Sequence, residues 1–387
     1  MDDRDALADS VNAALKRMHD NCCRVERTAY GGLGVFATRD VRAGEVVLSE
    51  RPLLLTVSDS SVSSVCATCL ACPPTSIGTW RLRCERCDCC YYCSEACAAA
   101  AHDSVECAAR AAAAADADAD DEVADLVTQA IAALALRARD GTVETQPGIV
   151  ASYASYVQRL CAIHRDEENG AAIRSAVHAA WRAVPEVARR GVSKKSLFGV
   201  LNRHQCNVYG VLGPGNADVA LASFVGVFQL FNHSCCPNLV FDCRPRRDLR
   251  EGQPPRAGAA ASAGLEPAAP PAPPTFALVA LVDVPCGAEL LHCYAASGDG
   301  PRARRAYLEH HYGFECACER CACDDPEHEA SLARRLERGR CRLPGCGTGL
   351  SFPVSTTSGC RSPRVWQCVQ CGGEWVADED ESDESED

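Results

Sequence analysis

Cysteine and histidine recur along this chain at the intervals that tetrahedral metal sites use. Cys66-x2-Cys69, Cys84-x2-Cys87, Cys93-x3-Cys97 and His102-x4-Cys107 form one cluster. A CxxC pair sets two thiolates on one tight turn, and zinc takes four thiolate or imidazole ligands. Eight ligands in four pairs suit two zinc ions. Cys316-x-Cys318-x2-Cys321 supplies three ligands to a second cluster, with Cys323 as a competing ligand. Cys341-x4-Cys346 and Cys368-x2-Cys371, with Trp366 and Trp375 beside the second pair, read as a zinc ribbon, the plain alternative being unbound surface thiols. Cys89 and Cys90 are adjacent extras expected not to bind.

The cysteine content, 28 of 387 residues, supports the same reading. The N-terminus, Met1-Asp2-Asp3-Arg4-Asp5, lacks the apolar run of a signal peptide, and no apolar stretch approaches the roughly 20 residues of a membrane span. The expectation is a soluble protein of the nucleus and/or cytoplasm, where disulfides would not persist and cysteine-rich chains bind metal. The net charge of −13 is concentrated: eight acids fall between Asp378 and Asp387, and five more are Asp116, Asp118, Asp120, Asp121 and Glu122. The remaining body is near neutral, which argues against nucleic acid as the main partner.

A second set of residues points to catalysis. Asn232-His233-Ser234-Cys235-Cys236-Pro237-Asn238 is formally a glycosylation acceptor, a reading that requires secretion. It is flanked upstream by Gly32-Leu33-Gly34-Val35-Phe36-Ala37. Downstream stand Gly287-Ala288-Glu289-Leu290-Leu291-His292-Cys293-Tyr294 and Tyr312-Gly313-Phe314-Glu315-Cys316. In this order the four segments resemble the SET domain, over roughly residues 22–325. The first cysteine cluster, with its string Tyr92-Cys93-Ser94-Glu95-Ala96-Cys97, resembles the MYND finger, and its place between the first two SET parts resembles the SMYD subgroup.

The resemblance implies a methyltransferase that uses S-adenosylmethionine and acts on lysine. Tyr294 matches the tyrosine at the transfer point and Tyr312 the second channel tyrosine. Asn232 and His233 match the cofactor-binding pair. Gly32, Leu33 and Gly34 would let the backbone approach the cofactor, Asn207 matches a residue touching its amino acid end, and Phe314 packs on its adenine or in the core. The chemistry suits these types. Methyl transfer from a sulfonium to an amine needs alignment and a neutral amine, and phenols orient without adding charge. An apolar channel also lowers the lysine pKa from about 10.4.

The resemblance also partitions the metal ligands. One finger zinc takes Cys66, Cys69, Cys93 and Cys97, and the other Cys84, Cys87, His102 and Cys107. Cys235 completes the cluster of Cys316, Cys318 and Cys321. With Cys341, Cys346, Cys368 and Cys371, about four zinc ions are expected.

Elements to position these residues are legible in outline. Val25 to Thr56 is strand-rich, and strand character returns at 208–211, 224–231, 276–282 and 290–294. Val123, Leu126, Val127, Ala130, Ile131 and Leu134 share one helical face, as do Ile173, Val177, Trp181 and Val184. The fold class is α+β, a SET-domain β-sheet fold with an inserted MYND zinc finger, a helical insert, a post-SET zinc cluster and a C-terminal zinc ribbon. The N-terminal SET part spans 22–60, the finger 66–107, an Ala-rich linker and helical insert 108–200, and the SET core 201–296 with a disordered insertion at 244–275. The post-SET cluster spans 297–325, the ribbon 338–376 and an acidic disordered tail 377–387, so the chain resembles a smaller plant-type relative without the helical C-terminal domain. The expected partner is a protein with an exposed lysine, a histone among the candidates, with a further peptide partner for the finger and no membrane. An inactive zinc-stabilised adaptor that binds peptides through the finger is the competing function.

Overall fold

A computed structural model of the protein describes residues 3–73, 78–100, 104–114, 121–138, 141–155, 170–213, 218–246, 274–294, 300–323, 325–344, 346, 349–354 and 365–376. The expected insertion between 247 and 273, the acidic tail and His102 lie outside these residues.

The strand-rich start folds on itself only in its first two strands. Cys23–Arg27 and Leu33–Ala37 form an antiparallel hairpin, with Gly31 turning the chain at φ +95°, a left-handed conformation that glycine adopts without strain. Val46–Glu50 instead pairs with Thr275–Ala280, which pairs in turn with Leu239–Arg246. Leu54–Val57 joins Asp218–Ser223, whose other neighbour is Val208–Leu212. Distant segments thus share one core, centred on the fully buried Phe224, Phe228, Phe231 and Phe276. The Phe224 and Phe276 rings meet edge to face at 5.8 Å, a favoured aromatic geometry. The strand at Leu239–Arg246 runs three residues, 244–246, into the stretch expected to be disordered.

The apolar run Phe224–Phe231, expected as a strand, is a loop with one 3-10 turn at Phe228–Leu230. Its amides have another partner. Gly226 N–H donates to Glu50 Oε1 at 2.7 Å, and the N–H groups of Val227 and Phe228 donate to Oε2 at 2.8 Å each. Glu50 has no exposed surface. A carboxylate that accepts three charge-assisted bonds replaces the strand ladder and tolerates burial for that reason. Gly226 is required here, because a Cβ would lie 2.4 Å from Glu50 Oε1.

Both expected helical faces are present, on Asp121–Ala138 and Ala171–Ala183, and they pack together with Lys194–Gln205. Ser104–Ala114 is also helical, so the alanine-rich segment from Ala108 is partly a packed helix rather than a linker. Its small Ala109 is fully buried in that helical core. A further helix, Asp3–Leu15, packs on the first hairpin, and its Asn12 side chain bonds both backbone groups of Val25, at 2.7 and 2.8 Å.

The C-terminal strands Ser351–Pro353, Val365–Cys368 and Glu374–Val376 form a small antiparallel sheet. Phe352 and Val369 dock it onto Val240, Ala277, Val279 and Leu281 of the main sheet. Among the described residues no helix is long and apolar enough to cross a membrane.

Glu50→Ala would leave three buried amides without acceptors, at about 1–3 kcal/mol each. Urea denaturation should show a loss of about 3 kcal/mol or more at unchanged zinc content. A loss below about 1 kcal/mol would show that the amides find other acceptors.

Candidate active site and metal centres

Four groups of thiols converge. Cys66, Cys69, Cys93 and Cys97 form one; Cys235, Cys316, Cys318 and Cys321 another; Cys341, Cys346, Cys368 and Cys371 a third. Cys84, Cys87 and Cys107 gather as three, and His102, expected as their fourth ligand, is outside the described residues. Within each group the ligand atoms all lie within 4.8 Å of one another.

The spacing discriminates between metal and disulfide. Representative Sγ···Sγ distances are 3.6 Å for Cys69 and Cys93, 3.7 Å for Cys84 and Cys107, 3.5 Å for Cys235 and Cys321, and 3.8 Å for Cys346 and Cys368. A disulfide needs about 2.05 Å. Four sulfurs at about 2.3 Å from a zinc ion stand about 3.8 Å apart. The donor sets therefore fit zinc. In two sets the thiols share a proton unequally: the hydrogen bond from Cys69 pulls the Cys66 pKa down to about 4 while Cys69 is raised, and bonds from Cys235 and then Cys316 pull Cys318 well below an ordinary thiol while Cys235 is raised. Cys89 and Cys90 join none of these groups.

Local structure explains the convergence at Cys235. Helix Pro301–Tyr312 starts on a proline and ends at Gly313, whose φ of +72° reverses the chain. Tyr312, Phe314 and Cys316 thereby come back against Tyr294 and Cys235. Arg304 of that helix, with 1% of its surface exposed, was not expected from the sequence. Its Nη2 lies 3.8 Å from Cys321 Sγ, and its Nη1 3.4 Å from Glu329 Oε1. Arg320 Nε reaches the same Glu329 oxygen at 3.0 Å. A buried cation beside a thiolate cluster offsets its negative charge, and Glu329 pairs the two arginines.

The Asn-His-Ser segment is fixed on both sides. Asn232–His233 runs parallel to Leu291–His292. The Asn232 amide donates to Leu33 O at 2.9 Å and Glu289 Oε1 at 2.8 Å. Asn238 donates to Glu289 O and accepts from Leu291 N–H. Gly34 is crowded by the protein itself, since a Cβ would lie 2.5 Å from Glu289 and 2.9 Å from Asn232. Gly32 is bonded to Thr28 on both sides, its N–H donating to Thr28 Oγ1 at 3.1 Å and its C=O accepting the Thr28 N–H at 3.0 Å, yet a Cβ on it would meet nothing nearer than 3.9 Å. The close approach expected of both glycines is thus found at one: Gly34 admits Asn232, whereas Gly32 has room for a side chain.

Aromatic groups gather around Tyr294. Its hydroxyl donates to Phe231 O at 2.6 Å. Its ring lies 5.0 Å from Tyr312, 4.8 Å from His292, 5.2 Å from His233 and 6.4 Å from Phe314. The Tyr312 hydroxyl donates to Tyr294 O at 3.3 Å, and burial raises the Tyr312 pKa, so that ring stays a neutral phenol. Beneath them, Tyr209 and His292 pair through OH and Nε2 at 3.0 Å. Neither this pair nor Glu289 was singled out in the sequence; the signal available was the position of each inside or beside a motif. Asn207, expected at the cofactor, turns its amide back to Arg203 O at 2.7 Å and closes the end of a helix.

Burial is the largest cause of three depressed histidines: His204 and His233 at about 4, and His292 at about 3. His233 is consequently a neutral ring at working pH.

A family model described as SET domain matches residues 32–295. Among solved structures, the chain is similar to the SET domain of LSMT, described as a crystal structure bound to lysine and AdoHcy. The identity is 13% and the TM-score 0.36, over 81% of this chain and 58% of that one. The protein therefore spans less than two thirds of that chain's length. No curated protein matches it.

Metal analysis of the purified protein should give about four zinc ions per chain, and two or fewer would contradict the ligand sets. A second expectation concerns acid. The unfolded chain binds protons near pH 6.5 that the folded histidines refuse down to about 4, so stability is full above 6.5 and falls as pH drops through that window. Each buried histidine contributes a slope of about 1.4 kcal/mol per pH unit. Denaturant titrations between pH 7 and 5 should show His204→Gln with a shallower slope than wild type by about that amount. Equal slopes would contradict a neutral buried His204.

Proposed function

The chain belongs to the SET domain family, and from that premise we propose that it transfers methyl groups from S-adenosylmethionine to lysine side chains of other proteins. The observation that carries the reading is the Tyr294 hydroxyl, held at 2.6 Å on Phe231 O inside a cage of Tyr312, Phe314 and His233.

The residues present fit such a cofactor. Asn232, with both amide hydrogens engaged, presents its oxygen as an acceptor for an ammonium. The side chain of Asn232 and the backbone of His233, Gly32, Leu33 and Gly34 are the binding residues of this reading. Phe314 would pack on the cofactor's ring, and Asn207, its amide held on Arg203 O, would face the cofactor's amino acid end. When bound, the cofactor supplies an electrophilic methyl on a sulfonium.

The chain's own groups do the rest. Tyr294 donates its only hydroxyl hydrogen to Phe231 O, which leaves oxygen lone pairs to accept an N–H of the incoming amine. Tyr312 narrows the approach and adds no charge. A lysine that leaves water for this cage is easier to deprotonate, because burial disfavours the charged form. Its proton departs to solvent before transfer, and alignment of the amine supplies most of the rate gain. We assign 66–107 to a MYND-type finger, with His102 completing the centre of Cys84, Cys87 and Cys107, and a protein such as a histone as substrate.

Labelled cofactor with histones and cell extract should label at least one protein. Tyr294→Phe should lower the rate about 100-fold while calorimetry shows cofactor binding within about threefold of wild type. Cofactor binding without transfer to any protein would favour the adaptor; wild-type rates in Tyr294→Phe would remove Tyr294 from the transfer point.

A further inference from the structure

His233 stands between a metal centre and the proposed transfer tyrosine, and its two ring nitrogens face one each. Nδ1 accepts the backbone N–H of Tyr294 at 2.9 Å. A backbone N–H can only donate, so Nδ1 carries no proton. The one proton of the neutral imidazole is therefore on Nε2, which lies 3.2 Å from Cys235 Sγ.

The sulfur is the special element of this pair. Cys235 Sγ lies 3.5 Å from Cys321 Sγ and 4.0 Å from Cys316 Sγ, and the Cys235 N–H points to Cys318 Sγ at 3.4 Å. A thiol accepts hydrogen bonds weakly, whereas metal ligation requires the thiolate, an ionised and much stronger acceptor. A proton on Nδ1 instead would face the Tyr294 N–H donor to donor and expel it.

We propose that the Cys235 metal centre governs methyl transfer through the His233 ring. The metal-held thiolate fixes the Nε2–H tautomer, and that tautomer keeps Nδ1 as the acceptor that holds the Tyr294 backbone. Tyr294 is thereby kept with its hydroxyl on Phe231 O. His233 is a positioning residue in this scheme, whatever its backbone contributes to the cofactor. The inference rests on the reading of Tyr294 as the transfer tyrosine.

The test uses the full-length protein, loaded with zinc for kinetics and with cadmium for NMR. Isotope-labelled histidine should report the Nε2–H tautomer for His233 in wild type. His233→Phe keeps a ring and removes both hydrogen bonds; it should move the cadmium resonance of the centre that Cys316→Ser also perturbs, and leave the others in place. His233→Gln keeps a donor for the sulfur and lacks the Nδ1 acceptor; it should leave that resonance near its wild-type position. Both should lower kcat about 10- to 100-fold, the usual cost of losing a group that orients a metal ligand, with cofactor binding within about threefold. An Nδ1–H tautomer, an unmoved cadmium resonance in His233→Phe, or kcat within about twofold of wild type in both variants would overturn the proposal. If wild type transfers no methyl at all, the reading of Tyr294 fails, and the tautomer and cadmium shift still decide the link to Cys235. Should His233→Phe not fold, the wild-type tautomer and the His233→Gln rate decide it.

Discussion

The structure depends on one junction, the thiolate cluster in which Cys235 meets Cys316, Cys318 and Cys321. Cys235 and Cys316 are 81 positions apart, so a metal here closes a long loop and removes much of the freedom of the intervening chain. The segments it brings together are those to which we assign the chemistry. Asn232 and His233 are fixed from one side, and Tyr312 and Phe314 are brought from the other. Tyr294 lies between them, bonded at its hydroxyl to Phe231 O and at its N–H to His233. Arg304 supports the junction from within the fold, and Glu329 ties Arg304 and Arg320 to the following helix.

A second buried charge supports the floor of the same site. Glu50 gathers three amides of the loop that precedes Phe231 and Asn232. The strand Val46–Glu50 thus does two things: it pairs with Thr275–Ala280 in the main sheet, and its last side chain shapes the loop that carries the carbonyl beneath Tyr294. The ribbon docks on the far face of that sheet through Phe352 and Val369. Its four gathered cysteines therefore belong to this packed unit, apart from the proposed transfer site.

Most of the site was legible because its residues announce themselves by spacing. Ligand pairs need short intervals, and all fifteen cysteines chosen from those intervals and from the family resemblance fall into the four gathered sets. The Asn-His-Ser run and Tyr294, Tyr312 and Phe314 also converge as their order suggested. What escaped notice has no interval to read. Glu50 is one acid at the end of a strand, and nothing local marks it as the partner of residues 226–228. The run Phe224–Phe231 is apolar enough for a strand, and only a distant carboxylate makes it a loop. Arg304 sits in polar company in the sequence and is buried by tertiary packing, and His292 follows two leucines as a single polar residue that no spacing marks. The alanine-rich stretch after Cys107 looks featureless, yet its small side chains let a helix pack closely on two others.

The claim that a single metal centre assembles the reactive site is tested most directly by Cys318→Ser, with zinc counted by native mass spectrometry and methyl transfer measured on the same sample. The account predicts one zinc fewer than wild type, the other centres still loaded, and transfer lost. One zinc fewer with transfer intact would contradict it.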